Sequence, residues 1–208
     1  IPLDDPRVKV AADGSLTLAF TGNRVVAVSD GTGVADAIGS LTLDGRNPAT
    51  FPELWYSTRP GTGPMWMPFV DHVDIDAPAV AEDWTLTFLE GTKPDANPIV
   101  YSVVGSVTGP DGTGNTRERF RSKSGRAVLD PKDINCVWQY KYAKKEAKPG
   151  FQVKWRTQPL FAAPYVPAAA ETRTTLVQNC ANGPHTLTLA AKGGRLGIGG
   201  FIVYAPRR

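Results

Sequence analysis

The side chains best suited to chemistry stand in two short windows. Between Leu54 and Met67 lie Trp55, Tyr56, Arg59 and Trp66, interrupted by Pro60, Gly61, Gly63 and Pro64. The window has no clean period, and two tryptophans, a tyrosine and an arginine in a loop are awkward to bury. Exposed, the rings would stack on flat C–H faces, and the guanidinium would pair with hydroxyls, which suits a polyhydroxylated ring. Buried, Trp55 and Trp66 would plug one end of a core. In the second window, Cys136, Trp138, Tyr140 and Tyr142 alternate with Asn135, Val137, Gln139 and Lys141. Read as a strand, the first four share one face. That face is either a flat platform running out to Tyr140 and Tyr142 or a core face beginning at Cys136.

Other residues offer weaker chemistry. Asp111-Gly112-Thr113-Gly114-Asn115, followed by Glu118, is an oxygen-rich stretch of the kind that holds Ca²⁺, with Asp111, Asn115 and Glu118 as donors. Asp-Gly turns are also common without metal. His72, Asp74 and Asp76 would share a strand face, either as a metal or proton-exchange cluster or as the solvent side opposite Val73 and Ile75. No serine-hydrolase nucleophile signature is present, and only His72 and His185 could act as a histidine base. Glu53, Glu82, Asp83, Glu90 and Glu118 are available to a glycosidase, but no spacing selects a pair. The sequence therefore carries no catalytic assignment, and an enzyme stays as an alternative. Lys141, Lys144, Lys145 and Lys148 form the one basic group, a polyanion site or a solvated loop. The other basic residues are scattered and the net charge is only +3, which argues against nucleic acid.

The elements that must position these residues are strands. Leu16, Leu18 and Phe20 alternate with polar or small neighbours, as do Trp84, Leu86 and Phe88, then Phe151, Val153 and Trp155, then His185, Leu187 and Leu189. Period two with one apolar face is what an antiparallel strand packed on one side requires. Further strands are expected at 24–29, 38–43, 69–76, 99–107, 135–142, 173–177 and 198–204. Turns are expected at Asp13-Gly14, Thr21-Gly22, Asp44-Gly45, Gly109–Gly112 and Gly193-Gly194. With 21 Gly and 18 Pro in 208 residues there is little room for long helices. The expected fold is an all-β, two-sheet antiparallel β-sandwich of roughly ten to thirteen strands. No repeat or composition break divides the chain, so a single domain over 1–208 is expected. Cys136 and Cys180 lack zinc-ligand spacing; they could pair in an exported protein or remain two buried thiols. No apolar run approaches the ~18 residues of a membrane span. No signal peptide is seen, and an opening at Ile1 without Met reads as a trimmed chain.

Two stretches carry a family resemblance. Near the start, Phe20-Thr21-Gly22-Asn23-Arg24-Val25-Val26 is followed by Leu41-Thr42-Leu43-Asp44-Gly45. Near the end, Gly183-Pro184-His185-Thr186-Leu187-Thr188-Leu189 is followed by Gly200-Phe201-Ile202-Val203-Tyr204. The chain here resembles the galactose-binding-like jelly-roll modules of bacterial carbohydrate-active proteins, over about a third of its length. The resemblance implies a jelly-roll sandwich that binds a polysaccharide or oligosaccharide without cleaving it. It also implies a linked catalytic domain (a glycoside hydrolase or GDSL-type esterase), secretion, a structural role for His185, and structural Ca²⁺ as a candidate cofactor. Trp55, Tyr56, Arg59 and Trp66 are then the first choice for the ligand site, and Tyr140 and Tyr142 the second. The alternatives are a jelly-roll polysaccharide hydrolase or lyase, and a structural or interaction sandwich with all five tryptophans buried.

Overall fold

The computed structural model describes residues 1–61, 67–90 and 97–206. In chain order its strands are β1 (Val8–Val10), β2 (Leu16–Ser29), β3 (Ile38–Leu43), β4 (Trp55–Ser57), β5 (Glu82–Glu90) and β6 (Val100–Gly105). They continue as β7 (Gly109–Asn115), β8 (Phe120–Arg121), β9 (Val128–Leu129), β10 (Gln152–Pro159), β11 (Arg173–Lys192) and β12 (Ile198–Tyr204); one short helix, α1, spans Cys136–Lys141. Strand accounts for 48% of the chain and helix for 8%, in antiparallel sheets with no barrel, so the chain is all-β and consistent with a sandwich. The strand orders do not establish the jelly-roll connectivity that the resemblance implies.

Contacts group the chain into two compact units, Ile1–Leu54 with Pro159–Arg208, and Trp55–Gln158. Each has its own five-stranded sheet and apolar core. The expectation of one domain over 1–208 had no composition change at 54 or 159 to mark this grouping.

The first unit is organised by β2 and β11. They pair from Leu16↔Leu189 to Val28↔Arg173, with a shift where Asn179–Asn182 stand against the neighbourhood of Asn23. Thr21-Gly22 is not a turn: β2 runs through it and changes its second neighbour there, from β1 at Leu16–Leu18 to β12 at Arg24–Ser29. Gly22 is required at this crossing, because a Cβ would collide with the Tyr204 carbonyl oxygen. Before the crossing one face of β2 is buried, through Leu16, Leu18 and Phe20. After it Val25, Val26 and Ala27 are buried in succession, as in a strand covered on both sides.

The second unit has the order β4-β10-β5-β6-β7. Its registers place Trp84 opposite Trp155, Leu86 opposite Val153 and Val103, and Phe88 opposite Tyr101. The rings of Trp84 and Trp155 stack with centroids 5.9 Å apart, and Trp84 Nε1 donates to Thr157 Oγ1 at 3.2 Å. Gly109–Gly112 belongs to β7 rather than to a turn. The β6–β7 connection is held by the buried Glu82 carboxylate, which accepts from the Val107 and Thr108 amides and the Thr108 hydroxyl.

Two expected strands are absent. The segment 69–76 makes only isolated bridges, Val70 to Ile134 and Asp74 to Val128. The segment 135–142 is helical: α1 buries Cys136 and Gln139, three residues apart, instead of an alternating row. The six residues fit either period, and their β-branched and aromatic content favoured a strand. Tertiary hydrogen bonds decide for the helix, since Gln139 Nε2 donates to the Met67 carbonyl and Asn135 Nδ2 to the Pro68 carbonyl.

Candidate functional site

Both aromatic windows fall in the second unit, and one carboxylate joins them. Trp55 and Tyr56 lie on β4, at the edge of the sheet beside β10; Trp55 is half-buried and Tyr56 is 46% exposed. Three residues beyond Tyr56, Arg59 Nη2 stands 3.8 Å from Asp71 Oδ1, both groups being solvent-accessible. The other oxygen of Asp71 accepts from Asn135 Nδ2 at 2.6 Å. Asn135 is the residue before α1, and its amide donates to the Phe69 carbonyl at 2.9 Å. Asp71 returns a backbone bond to the Asp133 carbonyl at 2.8 Å. Residues 67–71 are thus laid along 133–139, and Asp71 links the Arg59 end of the first window to the start of the second.

The helix redistributes the second window. Trp138 and Tyr142 are four residues apart and meet on one face, with ring centroids 5.6 Å apart and planes tilted by 41°. Tyr142 is 71% exposed and Trp138 half-buried. Tyr140 turns elsewhere, to a recess it shares with Lys141, Lys144 and Glu146. The four-residue platform of Cys136, Trp138, Tyr140 and Tyr142 is therefore corrected to a pair, and Cys136 is core. Sequence reasoning set Trp138 beside Tyr142 only as part of a strand face, placed Asn135 on the opposite face, and passed over Asp71. The i,i+4 spacing of Trp138 and Tyr142 was the available signal. Trp66 lies outside the described residues.

The oxygen-rich stretch is committed internally. Asp111 is buried on β7, where Oδ1 accepts from the Ser124 amide at 2.9 Å and Oδ2 from the Ser124 hydroxyl at 2.6 Å. Burial works to raise its carboxyl, but the bonds from Ser124 and Ser122 prevail and hold it below the ordinary value. Asn115 donates to Glu118 Oε2 at 3.0 Å and accepts from the amides of Arg117 and Glu118. Among the described residues no three His, Cys, Asp or Glu side chains gather as a metal site. His72 bonds Asp74 at 2.9 Å, while Asp76 pairs with Arg121 at 3.2 Å.

His185 belongs to the first unit. Its Nδ1 is 2.7 Å from Asp44 Oδ2 and its Nε2 is 2.7 Å from the Ala181 carbonyl. Both partners are acceptors, an arrangement that favours a proton on each ring nitrogen. Asp44 Oδ1 also accepts from the Thr186 amide at 2.8 Å. Burial pulls the imidazole down, yet the bonds and charge of Asp44, the Ala181 carbonyl and Glu53 prevail and raise it above its ordinary value. With both ring nitrogens bonded within the protein, His185 ties the turn after β3 to β11. Cys136 and Cys180 are free buried thiols, pushed up by burial to about 12 and about 11, so neither is a ready nucleophile.

No family model, curated protein or solved structure matches this chain. Its site is read from its own geometry. Among the described residues no helix is long and apolar enough to cross a membrane.

Proposed function

We propose that this chain binds polysaccharide without cleaving it, as a module that concentrates a linked, secreted catalytic domain on its substrate. The observation that carries the reading is the junction at Asp71, which ties two sequence-distant aromatic windows into one region. Exposed apolar groups gathered in one region mark interaction surfaces, where single scattered ones do not. Tyr56 and the Trp138–Tyr142 pair supply stacking faces, while Arg59, Asp71 and Asn135 supply the donors and acceptors that hydroxyls need. An exposed ion pair as long as that of Arg59 and Asp71 contributes little to folding, so it can rearrange around a ligand at small cost. Binding of this kind raises local substrate concentration for a tethered enzyme and needs no tight intrinsic affinity. Jelly-roll connectivity and structural Ca²⁺ belong to the same reading through the resemblance. Hydrolysis has less to draw on: Glu82, one of the available carboxylates, is consumed by three donors at the β6–β7 connection.

The test is affinity electrophoresis against a panel of neutral and acidic polysaccharides, with reducing-sugar release measured on the same samples. Retardation by at least one polymer without sugar release is the expected result. Release of sugar, or no retardation across the panel, contradicts the reading.

A further inference from the structure

A groove of about 490 Å³ beside β7 and β8 belongs to neither aromatic window. Arg119, Arg121 and Lys123 line it together with Thr113, Asn115 and Glu118. From Arg119 to Lys123 the residues alternate exposed, buried, exposed, buried, exposed, with Phe120 and Ser122 turned inward. The alternation turns all three cations outward together, Arg119 and Arg121 at β8 and Lys123 in the turn that follows it. The group is fixed from its buried side: the Phe120 ring seats on Gly114, where a Cβ would come within 2.7 Å of it, and its edge meets Tyr101 at 5.7 Å. β8 is further held by β9 through Phe120↔Leu129 and Arg121↔Val128.

Three cations line the groove together with two carboxylates: Asp111 is buried under its bonds from Ser124, Glu118 accepts from Asn115, and Arg121 pairs with Asp76. Among the described residues the side chains of Arg119 and Lys123 make no ion pair or hydrogen bond. Guanidinium groups take carboxylates in bidentate geometry, and the volume is that of an ordinary ligand site. A single-stranded nucleic acid would want exposed rings for its bases; the one aromatic ring of this groove, Phe120, is buried.

We infer that this groove binds a linear acidic polysaccharide, its regularly spaced carboxylates met by Arg119, Arg121 and Lys123. The site is separate from the aromatic region and stands if that region proves inert. The probe is polygalacturonate in affinity gels, compared with the fully methyl-esterified polymer, which keeps the backbone and loses the charge. The native chain should be retarded by the acid form and not by the ester, and added salt should weaken the retardation. The double variant R119Q/K123Q should bind about tenfold more weakly, the loss of two charge-assisted contacts, while Lys9→Gln, which removes an exposed cation of the first unit, keeps native retardation by the acid polymer. Both substituted side chains are exposed, and the single variant Arg119→Gln provides a milder second reading, with a smaller loss in the same direction. Equal retardation by the ester, native retardation of R119Q/K123Q, or displacement by oligothymidylate as readily as by oligogalacturonate of equal charge would each overturn the proposal.

Discussion

The two units solve packing with different side chains. The core of the first is chiefly aliphatic, built from Leu16, Leu18, Val25, Leu43, Leu176, Leu187 and Leu189 along long paired strands. The core of the second is aromatic, with Phe69, Trp84, Phe88, Tyr101, Phe120 and Trp155. Their buried polar groups differ as well. In the first unit His185 and Asp44 bond every ring nitrogen and both carboxylate oxygens. Among the described residues, Ser57 Oγ, Tyr101 Oη, Gln139 Oε1 and Trp155 Nε1 lack a partner in the second unit, against Arg24 Nε in the first. The unit with the more fully bonded interior presents a register-fixed scaffold. The unit with more unpartnered buried polar atoms also carries the exposed rings and the cation group, which is where function is expected to concentrate.

The contrast between the two cores is broken most severely at the stacked tryptophans. Trp84→Ala removes a ring stacked on Trp155 and should cost about 4 kcal/mol, read as a lowered urea midpoint of the second unit. Leu18→Ala in the first unit should cost about 3 kcal/mol; a clearly larger loss here than at Trp84 would reverse the ranking of the two cores. Glu82→Ala orphans two amides of the β6–β7 connection and should cost about 2 kcal/mol by the same measurement. Tyr101→Phe deletes a buried hydroxyl without a protein partner, so it should stabilise by up to about 1 kcal/mol, whereas a loss would show that the hydroxyl is bonded.

The His185–Asp44 bond predicts a pH window. His185 is raised from 6.5, so its contribution is complete below that value and fades as pH climbs through the raised value. Asp44 is lowered from 3.8: burial alone would raise it, but the Thr186 amide and His185 prevail, so its contribution fades only as pH falls through the lowered value. The bond should therefore stabilise fully between about 3.8 and 6.5. The melting temperature of Asp44→Asn should trail the native chain most in that window and by less at alkaline pH, where the His185 charge is gone and the Thr186 bond remains. A constant difference across pH would remove charge from the explanation.

Most of the fold was legible because period two is a direct record of one-sided burial. The alternations at Leu16–Phe20, Trp84–Phe88 and Val153–Trp155 all became strand faces, and β3 and β12 fell where their apolar runs placed them. Gly22 misled because a glycine read as a turn can equally be the one residue that permits another backbone to approach. The helix at 136–141 was hidden because six residues satisfy both periods and the deciding bonds run to Met67 and Pro68, which no local pattern encodes. The same non-local bonds hid Asp71, so the candidate site was legible as two sets of aromatic residues but not as one region.

That union is the central claim, and double-variant affinity electrophoresis against one retarding polysaccharide tests it most directly. Tyr56→Ala and Tyr142→Ala change exposed side chains and should leave stability within about 0.5 kcal/mol of native. Each should weaken binding of the same polymer, and the double variant should lose nearly all of it. If only one of the two substitutions affects retardation, or neither does, the windows do not form a shared site.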